Sequence, residues 1–288
     1  MAKTVLLAGA TGYLGSYVAR ELQERNFQLR ALVRDVEKLQ QKGLNPDQLY
    51  VGEVTELNTI SGCCDGVDTV ISTIGITRQN DGLSYMDVDF QANLNLLQEA
   101  KRSGVRKFIY VSVLDGDKLR KVSVCAAKEK FVDELKNSGL EYSVIRPNGL
   151  FCDLDDLYHM AENGRVFLFD GGQLKSNPIH GADMAQICVD AIDAPRMHIT
   201  AGGPDQMTHK EIAELAFKYA GKEPRITYIP SWSRGMLLGM SRFFTSRSTY
   251  GPLEFFMTVM SRDMLAPPKG QHRLEEYYRH MHHSQPSK

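Results

Sequence analysis

The chain has 288 residues, and its 34 Lys and Arg stand against 35 Asp and Glu, so no global field draws it onto nucleic acid and no nucleic-acid binding is expected. Hydrophobic residues at 42% and charged residues at 24% give the balance of a globular protein, and no apolar run approaches the roughly 20 residues that cross a bilayer, so no transmembrane segment is expected. Met1-Ala2-Lys3-Thr4 leads straight into a strand with no room for a signal peptide, so a cytoplasmic location is expected.

Residues 1–150 alternate β-branched runs with helical patterns, the mark of βαβ units on a parallel sheet. Strands are predicted over 4–8, 28–33, 48–51, 69–73, 107–112 and 142–145. Helices are predicted over 15–25 and 88–103, the second with Val88, Ala92, Leu96 and Ala100 on one face and Gly104 as its stop. After Pro147 the alternation lapses. Residues 151–288 read as a smaller mixed or helical lobe that partly returns to the sheet, with a segment at 152–163, a Gly171-Gly172 turn and helices at 183–192 and 208–220. Thr208 and Glu211 form a capping box at the head of the last of these. Two further apolar helices, 231–244 and 252–265, lead to a charged tail that frays over 282–288. The expected fold class is α/β, a doubly wound parallel sheet over 1–150 with a small C-terminal lobe over 151–288. Cys63, Cys64, Cys125, Cys152 and Cys188 show neither C-x-x-C nor a histidine at zinc spacing, so free thiols and no metal are expected.

Val5-Leu6-Leu7-Ala8-Gly9-Ala10-Thr11-Gly12-Tyr13-Leu14-Gly15 sets three glycines at G-x-x-G-x-x-G spacing between a buried strand and a helix. Gly9 permits the tight turn, Gly12 lets the backbone approach a pyrophosphate, and Gly15 lets the helix pack closely on the sheet. The helix that follows aims its free N–H groups at the phosphates. Because the strand, turn and helix occur together, the segment reads as a dinucleotide site rather than a structural turn.

The end of the second strand, Ala31-Leu32-Val33-Arg34-Asp35, faces the adenosine ribose in such a site. An acidic residue there accepts from the 2′-hydroxyl of NAD, whereas an arginine grips the 2′-phosphate of NADP. Arg34 follows the strand directly, which favours NADP over NAD, with Asp35 turned away or capping a helix at 36–41. The alternative is that Arg34 is simply solvated.

Gly9 to Gly15, Leu32-Val33-Arg34-Asp35, Val51-Gly52-Glu53-Val54, Ser72-Thr73-Ile74-Gly75, residues 106–112 and Ile145-Arg146-Pro147-Asn148-Gly149 together resemble the NmrA-like branch of the atypical short-chain dehydrogenases/reductases, which have a Rossmann fold. The likeness runs from residue 4 to about residue 220 and takes in Asn177-Pro178-Ile179-His180-Gly181-Ala182-Asp183-Met184-Ala185. It implies that Gly9, Thr11, Gly12, Tyr13, Leu14 and Gly15 line the pyrophosphate and that Arg34 meets the 2′-phosphate. It further implies that Thr73, Ile74 and Gly75 pass along the nicotinamide-side ribose, that Ser112 ends its strand beside the reaction centre, and that Pro147 and Asn148 lie against the nicotinamide. Active members of the superfamily use a Tyr-x-x-x-Lys pair. Lys128 matches the lysine, but Val124 stands where the tyrosine belongs, and a valine exchanges no proton. Lys128 is then either a ribose clamp or itself the acid or base. Tyr158 and His159 are the substitute acids on offer, each with packing or solvation as its alternative.

Residues 231–265 form a basic, apolar region with Trp232, Met236, Leu237, Phe243 and Phe244 in its first half. It reads as core packing, as the wall of an apolar substrate pocket, or as the surface that engages a protein partner. Two functions follow. One is an NADPH-dependent oxidoreductase acting on an apolar carbonyl or quinone-like substrate, with Lys128 and Ser112 as its catalytic residues. The other is a non-catalytic NADP-binding protein that senses redox state or assists assembly through a partner. A sugar-nucleotide epimerase is weakened by Val124 and the short second lobe.

Overall fold

The computed structural model describes residues 3–76, 82–230, 232–233 and 247–284. The chain forms two compact units, Met1–Arg146 with Met184–Ile199, and Pro147–Asp183 with Thr200–Lys288.

The first unit is built on β1 (Thr4–Ala8), β2 (Gln28–Val33), β3 (Gln48–Val51), β4 (Thr69–Ser72), β5 (Lys107–Val111), β6 (Glu141–Pro147) and, after the chain returns, the strand Met197–Ala201. Among the described residues these make one sheet in the order β3-β2-β1-β4-β5-β6 followed by Met197–Ala201. The pairs from β3 through to β6 are parallel. Val5, Leu6, Leu7 and Ala8 of β1 are all fully buried, as a strand covered on both faces requires. Because β1 has β2 on one side and β4 on the other, the strand order reverses at its carboxyl end. Open α/β sheets bind their ligands at such a switch point.

Helices α1 (Tyr13–Glu24), α2 (Val36–Gln41), α3 (Asn93–Arg102) and α4 (Ser123–Lys136) connect these strands. The predicted helix at 88–103 divides in two. Met86–Ala92 is a π-helix that runs into α3. Asn93 accounts for the wide turn, since its side-chain amide donates to the carbonyls of Val88 at 3.2 Å and Asp89 at 3.0 Å. The returning segment is anchored by Arg106, which donates to the Ile192 carbonyl at 3.2 Å, and by Lys107, which donates to the Ala194 carbonyl.

The second unit holds α5 (Asp155–Glu162), β7 (Val166–Phe169), β8 (Lys175–Ser176), the start of α6 (Gly181–Asp190), β10 (Met207–Thr208), α7 (His209–Ala220), β11 (Ile226–Ile229), α8 (Arg247–Val259) and α9 (Leu274–Ser284), with Met197–Ala201 counted as β9. Its core packs Phe151, Tyr158, Phe217 and Tyr278. The capping box at α7 is present: Thr208 Oγ1 accepts from Glu211 N at 3.1 Å and Glu211 Oε2 from Thr208 N at 2.7 Å. Three readings of this region change. The helix predicted over 252–265 starts earlier and stops at Val259, because Met264 N donates to the Lys175 carbonyl and Lys175 N to Asp263, drawing the chain into an extended bridge. The charged tail is helical over Leu274–Ser284, and its Tyr278 is fully buried. The predicted helix at 231–244 lies outside the described residues apart from Trp232 and Ser233.

Candidate dinucleotide-binding site

The glycine turn joins β1 to α1, and each glycine meets a different demand. Gly9 has φ +92°, and a methyl on it would stand 2.5 Å from Thr73 Oγ1. A methyl on Gly15 would stand 2.0 Å from the Gly9 carbonyl oxygen. A methyl on Gly12 would meet nothing in the chain nearer than that same oxygen, at 3.3 Å. Gly12 is the exposed point of the turn, and its N–H donates to Gly9 O at 3.0 Å to close it. The helix that starts at Tyr13 has no side-chain cap at Gly12 and no acid in its first turn. A positive helix end behind an open glycine backbone suits a pyrophosphate. Thr11 and Tyr13 are half-buried beside the opening, whereas Leu14 packs into the core.

Thr73, Ile74 and Gly75 continue from β4 and join this turn to the lysine. Thr73 Oγ1 donates to Ala8 O at 3.1 Å, so the head of the segment lies against the turn. At its other end, a methyl on Gly75 would stand 2.8 Å from both Lys128 Nζ and Asp89 Oδ1. Lys128 projects from α4 and forms an ion pair with Asp89 at 2.9 Å, the aspartate fully buried and 14% of the lysine side chain exposed. The second Asp89 oxygen accepts from Ile76 N at 3.2 Å. Burial opposes the Lys128 ammonium, but the Asp89 carboxylate and the Tyr110 hydroxyl outweigh it and hold Lys128 above the usual lysine range. Burial pushes the Tyr110 phenol upward, with Lys128 pulling it back.

Ser112 stands just past β5, with its hydroxyl donated to Glu129 Oε1 at 2.8 Å. Glu129, fully buried on α4, is also paired with Arg146 at 2.7 Å, and Arg146 stands 3.1 Å from His198 Nδ1. Burial and then the Arg146 guanidinium hold His198 below the usual imidazole range, which makes it a neutral acceptor here. Val124 is buried in the first turn of α4.

At the ribose end, Arg34 follows β2 with its side chain 62% exposed, 3.4 Å from Glu53. Asp35 is turned into α2 as its N-cap, accepting from Lys38 N at 2.9 Å. In the second unit, Asn148 is buried and its amide donates to Asn177 Oδ1 at 2.7 Å and Met264 O at 2.6 Å, while Pro147 ends β6. Tyr158 packs in the core with its hydroxyl on the Tyr219 carbonyl at 3.3 Å, and exposed His159 pairs with Glu162 at 2.8 Å. His180 stacks on His272 with ring centroids 4.5 Å apart.

Asp89, Tyr110 and Glu129 are the residues that sequence reasoning missed. Asp89 carried a signal: with Asn93 it forms a polar i, i+4 pair on a helix otherwise read by its apolar face, and both are fully buried. Glu129 gave none, because it stands between Lys128 and Lys130 in a run that reads as a solvated face.

The switch-point sheet, the glycine turn and the helix behind it define a Rossmann dinucleotide-binding protein. The sequence model described as NAD(P)H-binding matches residues 9–195, and the chain belongs to that family, as an atypical short-chain dehydrogenase/reductase. It is 26% identical over 304 residues to the chloroplastic divinyl chlorophyllide a 8-vinyl-reductase of Arabidopsis thaliana, across 94% of this chain and 72% of that one. It is 24% identical over 249 residues to the photosystem II assembly factor Ycf39 of Synechocystis sp., across 83% of this chain and 74% of that one. Among solved structures, the NADPH-dependent quinone oxidoreductase QOR2 of Escherichia coli complexed with NADPH superposes with a TM-score of 0.78 at 19% identity, over 96% of this chain and 99% of that one. Among the described residues no helix is long and apolar enough to cross a membrane, and no group of three or more His, Cys, Asp or Glu is arranged to hold a metal.

Proposed function

We propose that the chain is an NADP(H)-dependent reductase of an apolar, quinone-like acceptor. The observation that carries this reading is the continuous wall of residues 73–75, which touches the open glycine turn at one end and the Lys128 amine at the other. Gly12 and the head of α1 bind the pyrophosphate, Arg34 meets the adenosine 2′-phosphate, and Lys128 holds the nicotinamide-side ribose. Exposed Arg34, with Asp35 withdrawn into a cap, supports NADP over NAD. When bound, the reduced cofactor supplies hydride.

The proton side of the reaction narrows the acceptor. Val124 has no proton to give, the Ser112 hydroxyl is held by Glu129, and Lys128 is held as an ammonium by Asp89. A simple ketone becomes a strongly basic alkoxide on hydride addition and needs a strong general acid. A quinone becomes an aromatic phenolate, which water protonates without help. The site therefore favours quinones, and the name of the Escherichia coli structural relative agrees with that choice.

The same Val124 favours a second reading, an NADP-binding protein without chemistry that assists assembly, the role named for the Synechocystis relative. Stopped mixing of protein and NADPH with a panel of quinones and aldehydes, followed by NADPH absorbance, separates the two. Quinone-dependent NADPH loss that Lys128→Ala weakens supports the reductase. Tight NADPH binding without turnover by any acceptor supports the second reading.

A further inference from the structure

Asp89 is assigned no role by the glycine motif, by the Tyr-x-x-x-Lys pattern or by any resemblance. We propose that Asp89 is the positioning residue of this site, fixing the Lys128 amine against the Gly75 wall and acting on NADP(H) affinity through it. The proposal rests on the NADP(H)-binding reading and names the residue that makes the lysine effective there.

The aspartate is held more firmly than an ordinary salt-bridge partner. It sits on the π-turn Met86–Ala92, which directs it inward, and its carbonyl accepts from the Asn93 amide at 3.0 Å and from the Tyr110 hydroxyl at 3.5 Å. Asn93 is fixed in turn, its Oδ1 accepting from Ser72 Oγ at 2.5 Å. With the backbone held, the two carboxylate oxygens divide their work. One accepts from the backbone immediately after Gly75, and the other, fully buried, has only Lys128 Nζ beside it. The carboxylate thus ties the wall and the lysine into one piece. Only glycine at 75 leaves room for this, since a methyl there would collide with both charged atoms.

Energetics argue against a purely structural pair. A buried ion pair gains little over apolar residues of the same shape, because desolvation consumes the Coulomb attraction. Removing just one partner is what destabilises. A pair that serves stability alone also has no need to leave part of its lysine at the surface, as this one does. The groups facing Lys128 are Asp89 from the π-turn and Tyr110 from β5, whose ring centroid lies 5.5 Å from Nζ. The neighbouring acid, Glu129, is turned to Ser112 and Arg146. Asp89 is therefore the charge that keeps this amine an ammonium.

NADPH titration by fluorescence from about pH 7 to about pH 9.5 tests the assignment in the full chain. Wild type should bind with a dissociation constant that is flat across this range. Asp89→Asn should bind roughly tenfold more weakly at neutral pH and lose further affinity as pH rises, because a buried lysine without its counter-ion releases its proton within the range. A flat profile and unchanged affinity for Asp89→Asn would overturn the proposal, whereas failure of wild type to bind NADPH would overturn the cofactor reading beneath it. If Asp89→Asn does not fold, the comparison moves to Lys128→Met and Asp89→Asn/Lys128→Met, in which no buried charge is left alone. If Asp89 acts through Lys128, these two bind NADPH equally. A further loss of roughly tenfold in the double variant contradicts it.

Discussion

Gly12 and Gly15 stand three residues apart in one turn, yet their replacement by alanine should fail in different ways. At Gly15 the added methyl would lie 2.0 Å from the Gly9 oxygen and 2.7 Å from the Gly9 carbonyl carbon, backbone atoms that cannot swing aside. Helix α1 has to move off β1, and overpacking of this kind costs about 1–3 kcal/mol. For a domain of this size that lowers Tm by about 2–4 °C for each kcal/mol. At Gly12 the nearest atom is 3.3 Å away, and φ of −75° suits any residue. The remaining penalty is the preference of an N-cap for glycine over alanine, about 1 kcal/mol or less. The same methyl occupies the approach to the phosphates, so Gly12→Ala should weaken NADPH binding at least roughly tenfold, or about 1.4 kcal/mol. Thermal denaturation without cofactor and NADPH fluorescence titration, run on both variants, separate the effects. The reasoning is refuted if Gly12→Ala binds NADPH as wild type does, or if Gly15→Ala leaves Tm unchanged.

Arg34→Ala should raise the dissociation constant for NADPH roughly tenfold or more and leave that for NADH nearly unchanged, since only NADPH carries the 2′-phosphate; equal loss for both assigns Arg34 another role. Glu129→Gln leaves the Arg146 guanidinium buried without its counter-charge and should cost about 3–5 kcal/mol in urea unfolding, whereas Glu129→Gln/Arg146→Met should recover much of it. Burial pushes the His209 imidazole at the head of α7 down to about 4, against the weaker pull of Asp263, and its Nδ1 has no hydrogen-bond partner. The fold therefore refuses a proton that the unfolded chain accepts, and stability falls as pH drops from about 6.5 toward 4, by about 3 kcal/mol for this group. His209→Phe should flatten that part of the pH–stability curve, and an unaltered curve would show that His209 does not contribute.

The strands of the first unit were legible because buried parallel strands are short runs of β-branched residues with little else to be; β1, β2 and β3 have the bounds expected of them. The glycine turn was legible because its spacing is a steric requirement, now visible as the close approaches of Gly9 and Gly15. Beyond Pro147 legibility declined for a physical reason. Lys175–Ser176 and Met207–Thr208 are two residues long and held by partners distant in the chain, and no period can be read from two residues. The stop at Val259 likewise depends on Lys175 capturing Met264 and Asp263, a contact across more than 80 residues. At the site, Lys128 could be found from its neighbours in sequence. Its partner Asp89 lies on another element and meets it only through the fold.

Holding NADP(H) at the glycine turn is the claim on which the rest depends. Equilibrium titration of the purified chain with NADPH and with NADH, alongside Gly12→Ala, tests it most directly. One saturable site per chain, a lower dissociation constant for NADPH than for NADH, and loss of binding in Gly12→Ala are the expected results; no saturable binding of either nucleotide, or binding indifferent to Gly12→Ala, would contradict the account.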